Sequence, residues 1–199
     1  MVRLEGGKVL GLLGFDPKFD LHAAQHLVNR NSKSYMKIRQ LAKEELPQVQ
    51  SIAHRTWPTT FANILSPEQI DYMLNWMYSL GMLESQLEKG HTFLLAEENG
   101  EELGFAGFEL NYSEGPKAKL HKIYLLPEAQ GKGAGKALLL EVADRARKAG
   151  QQSLLLNVNK YNQKAIDFYL KMGFVEIYKE VIDIGNGYVM DDVVMELNL

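Results

Sequence analysis

The sequence predicts an α/β (α+β) fold in which helices flank a central sheet. One observation is the pair of apolar runs in HTFLLAEENGEELGFAGFEL, whose central Asn-Gly is among the strongest short-range hairpin signals. The other is the succession of a strand, KLHKIYLL, a helix and a second strand, SLLLNVN, within about 40 residues. This spacing is typical of a right-handed βαβ unit with parallel strands. We therefore expect antiparallel and parallel pairing in the same protein.

The composition is that of a soluble globular protein. Its 199 residues are enough for one domain with a full core. No apolar run approaches the roughly 18 residues that indicate a membrane span, and a net charge of -3 provides no overall positive field for nucleic acid. The lack of cysteine excludes a disulfide, a thiolate nucleophile and cysteine-ligated zinc. We therefore expect a cytoplasmic protein with no nucleic-acid or membrane partner.

Residues 1–35 differ in composition from the rest of the chain, with a Gly-rich start followed by the polar segment HLVNRNSKS. The apolar part is too brief for a signal peptide, and no A-x-A cleavage site follows it. His22 and His26 are spaced to share a helix face as metal ligands. Without a third ligand, an amphipathic helix is the favoured interpretation, and no metal site is expected. We predict that 1–35 is an N-terminal extension outside the core, and that 36–199 is the folded domain.

The first part of this domain predicts a strand and two helices. The short strand MKIRQL, from Met36, precedes a charged and apolar helix over about 43–55. In SPEQIDYMLNWMYSL, Ser66 is placed to cap a helix, Pro67 fits its first position, and Gln69 stands where the reciprocal partner of a capping box belongs. The large apolar side chains of this helix recur at helical spacing, at Tyr72, Met73, Trp76 and Met77. The spacing favours core packing, with the wall of a substrate site as the alternative.

The glycine-rich stretch LLPEAQGKGAGK lies between the first strand of the βαβ unit and the N-terminus of its helix. Backbone N–H groups and the helix dipole at such a position favour phosphate. A P-loop pattern would need glycine at Gln130 and serine or threonine at Ala137, and a dinucleotide fingerprint would need glycine at Lys136 or Leu138. Both patterns therefore fail. The helix after the loop has one apolar stripe, formed by Leu138, Val142, Ala146 and Ala149. Gly150 is the predicted stop signal.

Two motifs carry a resemblance to a known family. The loop matches Q/R-x-x-G-x-G/A through Gln130, Gly133 and Gly135. The later segment NVNKYNQKAIDFYLKMGF matches N-x-x-A-x-x-x-Y-x-x-x-G-F at Asn162, Ala165, Tyr169, Gly173 and Phe174. Residues 36–199 therefore resemble the GCN5-related N-acetyltransferase (GNAT) superfamily. The resemblance implies a mixed, mostly antiparallel central sheet with a parallel βαβ unit that binds the cofactor.

The resemblance implies that acetyl-CoA is the co-substrate, in a cleft between two splayed parallel strands. Its pyrophosphate is expected on the glycine loop, which comprises Gln130, Gly131, Lys132, Gly133, Ala134, Gly135 and Lys136. Glycines permit close approach, and the lysines complement phosphate charge. The main-chain groups of Ile123, Tyr124 and Leu125 are implied to pair with the pantetheine arm. The Leu125 N–H is implied to polarise the thioester carbonyl.

The same resemblance implies a general acid and leaves the base open. Tyr169 is implied to protonate the leaving thiolate, and Asn162, two helical turns earlier, to hydrogen-bond the cofactor from the same face. A primary ammonium must lose a proton before it attacks, which requires a base or a water chain. Asn157 stands where some members have glutamate, and an amide cannot take that proton. His121 is the candidate base, with a structural strand histidine as the alternative.

The predicted activity is acetyl-CoA-dependent N-acetyl transfer to a primary amine of a small molecule by direct attack. TWPTTFANILSPEQIDYML and LHKIYLLPEAQGKGAG are most similar to the bacterial spermidine/spermine acetyltransferase branch, which suggests a polyamine. Two alternatives stay open: acetylation of a protein N-terminus or lysine, and a non-catalytic CoA-binding regulatory domain. The final YVMDDVVMEL reads as a strand that could meet another subunit in a homodimer.

Overall fold

The computed structural model describes residues 35–113 and 115–199, together with the backbone of two short strands near the start of the chain. His22 and His26 lie outside the described residues, so their interpretation as part of an amphipathic helix stays a prediction. The assignment of 1–35 as an extension outside the core stays a prediction as well.

The strands form two separate sheets, one in each of two compact units. Their bounds are β1 (Leu4–Glu5), β2 (Lys8–Val9), β3 (Met36–Gln40), β4 (Thr92–Glu98), β5 (Glu101–Glu109), β6 (Lys117–Leu125), β7 (Ser153–Asn159), β8 (Val175–Gly185) and β9 (Tyr188–Asn198). β1 pairs with β2 in the unit of residues 1–34. The unit of residues 35–199 contains a seven-stranded sheet in the order β3-β4-β5-β6-β7-β9-β8.

The larger sheet confirms the mixed, mostly antiparallel fold. β6 and β7 are parallel, and the other neighbouring strands pair antiparallel. Asn99 and Gly100 join β4 to β5 with φ values of 54° and 85°, as a type I′ hairpin turn requires. β9, which contains YVMDDVVMEL, is paired on both sides by β7 and β8. Over residues 192–196, β9 therefore lies inside the sheet, and β8 is the edge strand on this side; the homodimer stays a prediction.

The described residues form five α-helices, α1 (Leu46–Thr60), α2 (Pro67–Met77), α3 (Leu80–Glu88), α4 (Ala134–Lys148) and α5 (Gln163–Lys171). None of them is long and apolar enough to span a bilayer. α1 starts later than the sequence predicted, because Lys43–Glu45 form a 3-10 turn, and it continues through Pro58. Ser66 caps α2 by accepting from the Gln69 N–H at 3.2 Å. The Gln69 side chain does not complete a capping box, because its amide donates to the Val189 carbonyl of β9.

α4 completes the βαβ unit between β6 and β7. Leu138, Val142 and Ala146 are fully buried, which confirms the predicted stripe at those positions. Ala149 is exposed, because it is the C-cap residue beyond the last helical turn. Gly150 follows with φ of +78°, the left-handed conformation that ends helices. The stripe therefore fixes α4 on the sheet, and its N-terminus lies at the end of β6 that leads into the glycine loop.

Candidate active site

A cleft opens between the two parallel strands. The ladder between β6 and β7 ends at the pair Leu120 and Leu156. β6 continues to Leu125 and β7 to Asn159 without further pairing to each other. Main-chain groups of β6 beyond Leu120 on the β7 side are therefore available to a ligand, which is the geometry that the resemblance implied.

One hydrogen bond shows which main-chain groups of β6 face β5 and which face the cleft. Leu126 N–H donates to the Leu103 carbonyl of β5 at 2.9 Å. Because successive residues of a strand direct their N–H groups to opposite sides, Ile123 and Leu125 face the cleft. The main-chain groups of Tyr124 face β5 instead. Of the three residues expected to pair with the pantetheine arm, the strand geometry therefore favours Ile123 and Leu125 and disfavours Tyr124.

A bulge interrupts β6 where the cleft opens. Gly107 pairs with Lys122 and Phe108 with Leu120, so His121 is the extra residue on β6. Bulges bend a strand and re-aim the side chains around them. His121 and Lys122 both line the cavity that extends from the cleft.

The glycine loop leaves a set of N–H groups without intrahelical partners. Gly131 and Gly133 have φ values of +80° and +87°, which L-residues rarely adopt. Gly133 is the N-cap of α4, and the first bond along the helix runs from the Ala137 N–H to the Gly133 carbonyl at 3.0 Å. The N–H groups of residues 133–136 therefore have no acceptor within the helix. Unpaired N–H groups at the start of a helix can bind an anion, and phosphate binding at this loop stays a prediction.

The third loop glycine, Gly135, is restricted by packing rather than by its φ. A Cβ atom on Gly135 would lie 3.2 Å from Leu125 Cδ1, so a larger residue there would require the Leu125 side chain at the end of β6 to shift. The Gln130 side chain accepts from Lys164 Nζ of α5 at 2.5 Å. Lys136 lines the cavity, whereas Lys132 and Ala134 are not among its lining residues. The loop is thereby connected to both β6 and α5.

One cavity of about 1350 Å³ contains the loop, the cleft and side chains of α2. Met73 is buried, as expected of a core residue, yet it also lines this cavity. Trp76 is 42% exposed and lines the cavity with Met77. The apolar side of α2 therefore serves both as core and as a cavity wall.

Tyr169 and Asn162 both line the cavity. Asn162 precedes α5 as its N-cap, and its side-chain oxygen accepts from the Ala165 N–H at 3.2 Å. The Asn162 side chain therefore caps α5, and its hydrogen bond to the cofactor stays a prediction. Tyr169 is 7% exposed, and burial, followed by the nearby Tyr124, raises the pKa of its hydroxyl far above the usual value. The hydroxyl consequently keeps its proton at neutral and moderately alkaline pH.

His121 belongs to a cluster that the sequence did not reveal. His121 Nε2 lies 2.9 Å from Glu109 Oε1, and His91 Nε2 lies 3.4 Å from Glu109 Oε2. The two rings stack with centroids 4.7 Å apart. Burial lowers the pKa of His121 to about 3, with the charges of Lys122 and Lys119 adding to the effect. Burial and then His121 lower the pKa of His91 to about 4, so both rings are neutral at pH 7.

A polar network lines the β7 side of the cavity. Lys119 Nζ donates to Asn157 Oδ1. The Asn157 amide donates to Glu180 Oε1 at 2.5 Å and to Asp192 Oδ2 at 3.5 Å. Asp192 is 7% exposed, and burial is the largest cause that raises the pKa of its carboxyl. Glu180 and Asp192 were absent from the predicted site, because β9 with Asp192 meets β7 only through pairing distant in sequence, and β8 with Glu180 is placed there by its pairing with β9.

The family comparison agrees with this geometry. The family described as Acetyltransferase (GNAT) family matches residues 46–174, well over half of the chain. The chain belongs to this GNAT family. The expectations of an N-acetyltransferase and of acetyl-CoA as its co-substrate are thereby confirmed.

Individual relatives of this GNAT protein differ in the acceptor that their names state. The chain is 31% identical over 144 residues to a spermidine N(1)-acetyltransferase of Thermoplasma acidophilum, covering 70% of this chain and 88% of that protein. It is 31% identical over 98 residues to the L-amino acid N-acyltransferase MnaT of Escherichia coli, covering 48% and 57%. The crystal structure of PaiA N-acetyltransferase from Thermoplasma acidophilum in complex with coenzyme A matches with a TM-score of 0.70 and 29% identity, covering 83% and 99%.

Proposed function

We propose that the chain transfers the acetyl group of acetyl-CoA to a primary amine of a small molecule by direct attack of the amine. The observation that supports the proposal is the single cavity shared by the glycine loop, the diverging strands and Tyr169. The residues fit coenzyme A, because the free N–H groups of 133–136 suit a pyrophosphate and the cleft-facing N–H groups of β6 suit an amide-containing arm.

Each part of the cavity has a proposed role. Acetyl-CoA, when bound, supplies an acetyl thioester. The loop N–H groups and Lys136 bind the pyrophosphate, and Ile123 and Leu125 bind the pantetheine arm through their main chain. The Leu125 N–H stabilises negative charge that develops on the carbonyl oxygen. Tyr169 donates its proton to the departing sulfur, and its raised pKa keeps that proton available.

The charges around Asn157 support an amine as the acceptor. Glu180 and Asp192 are carboxylic groups that line the cavity beside the cleft, where they can bind an ammonium group. Asp192 is buried, so the acceptor must enter the cavity, which favours a small molecule over a protein surface. Polyamines, as in the name of the Thermoplasma relative, and amino acids, as in the name of the Escherichia coli relative, are both acceptors to test.

Thiol release from acetyl-CoA tests the proposed function. We expect saturable coenzyme A binding by calorimetry, and thiol release that requires an added amine from a panel of polyamines, amino acids and peptides. The control is the same reaction without an acceptor. Coenzyme A binding without thiol release for any acceptor would support a regulatory domain instead. Activity confined to peptides would support protein acetylation.

We propose that His121, with Glu109, removes the proton from the attacking amine. Since a carboxylate oxygen can only accept, His121 Nε2 carries the hydrogen and donates it to Glu109, which leaves Nδ1 free to receive a proton. The lowered pKa leaves His121 unprotonated above about pH 5 but makes it a weak base. It therefore accepts the proton only after the amine nitrogen has bonded to the carbonyl carbon and has become more acidic.

His121→Gln should therefore lower kcat/KM by about tenfold at pH 7 and by less at pH 9.5. An amine of pKa about 10.4 becomes increasingly deprotonated in solution as pH rises, so a protein base matters less. The measurement is the pH profile of thiol release, with His54→Gln, an exposed histidine, as the matched control. An equal loss at every pH would show that His121 is structural.

A further inference from the structure

Lys122 is a buried cation that the proposed mechanism does not use. It is 5% exposed, and it lines the cavity on the side of α3. Its ammonium donates to Gln86 Oε1 at 3.0 Å and lies 5.6 Å from the centroid of the Tyr78 ring. Lysine has three N–H donors, so Gln86 satisfies one of them. Within residues 35–113 and 115–199, no carboxylate forms an ion pair with this ammonium.

Lys119, the other buried lysine of the cavity, differs from Lys122 because nearby carboxylates offset its charge. It donates to Asn157, and the carboxylates of Glu180 and Asp192 act on it to raise its pKa against the effect of burial. Among the described residues, Glu109 is the only charged group that raises the pKa of Lys122.

Glu109 does not compensate Lys122 by direct contact. Both of its oxygens are contacted by the histidines of the cluster, at 2.9 and 3.4 Å. Burial lowers the pKa of Lys122 to about 8, so the side chain is still mainly protonated at pH 7. The charge of Lys122 also contributes to the lowered pKa of His91 and His121. The α3 side of the cavity is therefore a cationic end, whereas the Asn157 side has the acidic groups.

We propose that Lys122 binds a carboxylate of the acceptor, so that the acceptor is an amino carboxylic acid rather than a purely cationic polyamine. This rests on the proposed function and specifies its substrate class. A carboxylate would fill the two unused N–H donors of a desolvated ammonium, where a charge-assisted hydrogen bond is strongest. A polyamine would instead bring a second positive charge toward Lys122.

The test compares acceptor pairs that differ by one carboxylate, ornithine with putrescine and lysine with cadaverine. The quantity measured is the ratio of kcat/KM for the acid to that for the amine, in the parent enzyme and in two variants. Lys122→Met removes the charge, and Gln86→Glu places a carboxylate on the ammonium from within the protein. The intrinsic reactivities of the two amines cancel when the ratio is compared between variants.

We expect the ratio to fall at least about tenfold in both variants, the size of one hydrogen bond to a charged group. Lys148→Met, which removes an exposed lysine on α4, should leave it unchanged. Thermal melting checks that each variant is folded. Continued thiol release with putrescine or cadaverine in the variants would show that the acetyltransferase itself is intact.

A ratio that stays within about threefold of the parent in Lys122→Met would overturn the proposal while leaving the proposed function standing. If no acceptor pair is turned over, the Kd of each acid and each amine is measured by calorimetry with the coenzyme A-loaded enzyme, and the ratio of Kd values is compared instead of kcat/KM. Tighter binding of the acid, lost in Lys122→Met, supports the carboxylate site. Equal binding of acid and amine, or binding of neither, overturns it.

Discussion

Tyr169→Phe is expected to lower kcat by roughly 10²- to 10³-fold, within the range typical of a lost general acid. KM for acetyl-CoA should change little, because the ring still packs between Phe168 and Phe174. The physical reason is that burial keeps the Tyr169 hydroxyl protonated, which the proposed role as the acid that protonates the thiolate requires at neutral pH. The measurement is initial-rate thiol release at saturating acceptor.

The matched control for this change is Tyr161→Phe, since Tyr161 is 65% exposed. It removes the same hydroxyl group outside the cavity that contains Tyr169. The sign of the pH effect follows from the raised pKa of Tyr169. Activity should not fall from pH 7 to 9 through ionisation of Tyr169, because that pKa lies above its usual value. A Tyr169→Phe enzyme with kcat within about threefold of the parent would contradict the role as acid.

The fold was predictable where local signals decided the structure. Asn99 and Gly100 adopt the positive φ values that the hairpin needs, and the apolar stripe of α4 is buried at three of its four positions. The placement of β9 was not predictable in the same way. Its pairing with β7 depends on side chains far apart in sequence, so no turn signal indicates that β9 lies inside the sheet and β8 at its edge.

The candidate site was predictable for the main chain and less so for the side chains. The loop glycines have the expected positions because their φ values and the approach of α4 to Leu125 restrict them. His91 and Glu109 were missed because the register of β4 against β5 shifts by one residue between Ala96 and Glu97. The extra residue is on β5. Counting outward from the Asn-Gly turn without that shift places His91 opposite Phe108 rather than Glu109. One extra residue in a strand thus concealed the histidine cluster.

Gly133→Ala is expected to raise the Kd for coenzyme A on the order of 10²-fold, because each hydrogen bond to a charged group contributes about 1.5–3 kcal/mol. Gly133 has φ of +87°, and an L-residue there is strained by about 1–2 kcal/mol. Relief of that strain rotates the N-cap of α4 and with it the N–H groups that we propose bind the pyrophosphate. Calorimetric titration with coenzyme A measures the effect.

Gly150→Ala separates this effect from general destabilisation. Gly150 lies just beyond the other end of α4, with φ of +78°, and an added Cβ meets nothing within 4 Å at either glycine. The two substitutions therefore cost similar backbone strain, and each should lower the melting temperature by roughly 2–8 °C. Only Gly133→Ala should weaken coenzyme A binding, since Gly150 is remote from the free N–H groups. Equal affinity for coenzyme A in the two variants would mean that the pyrophosphate does not rest on the start of α4.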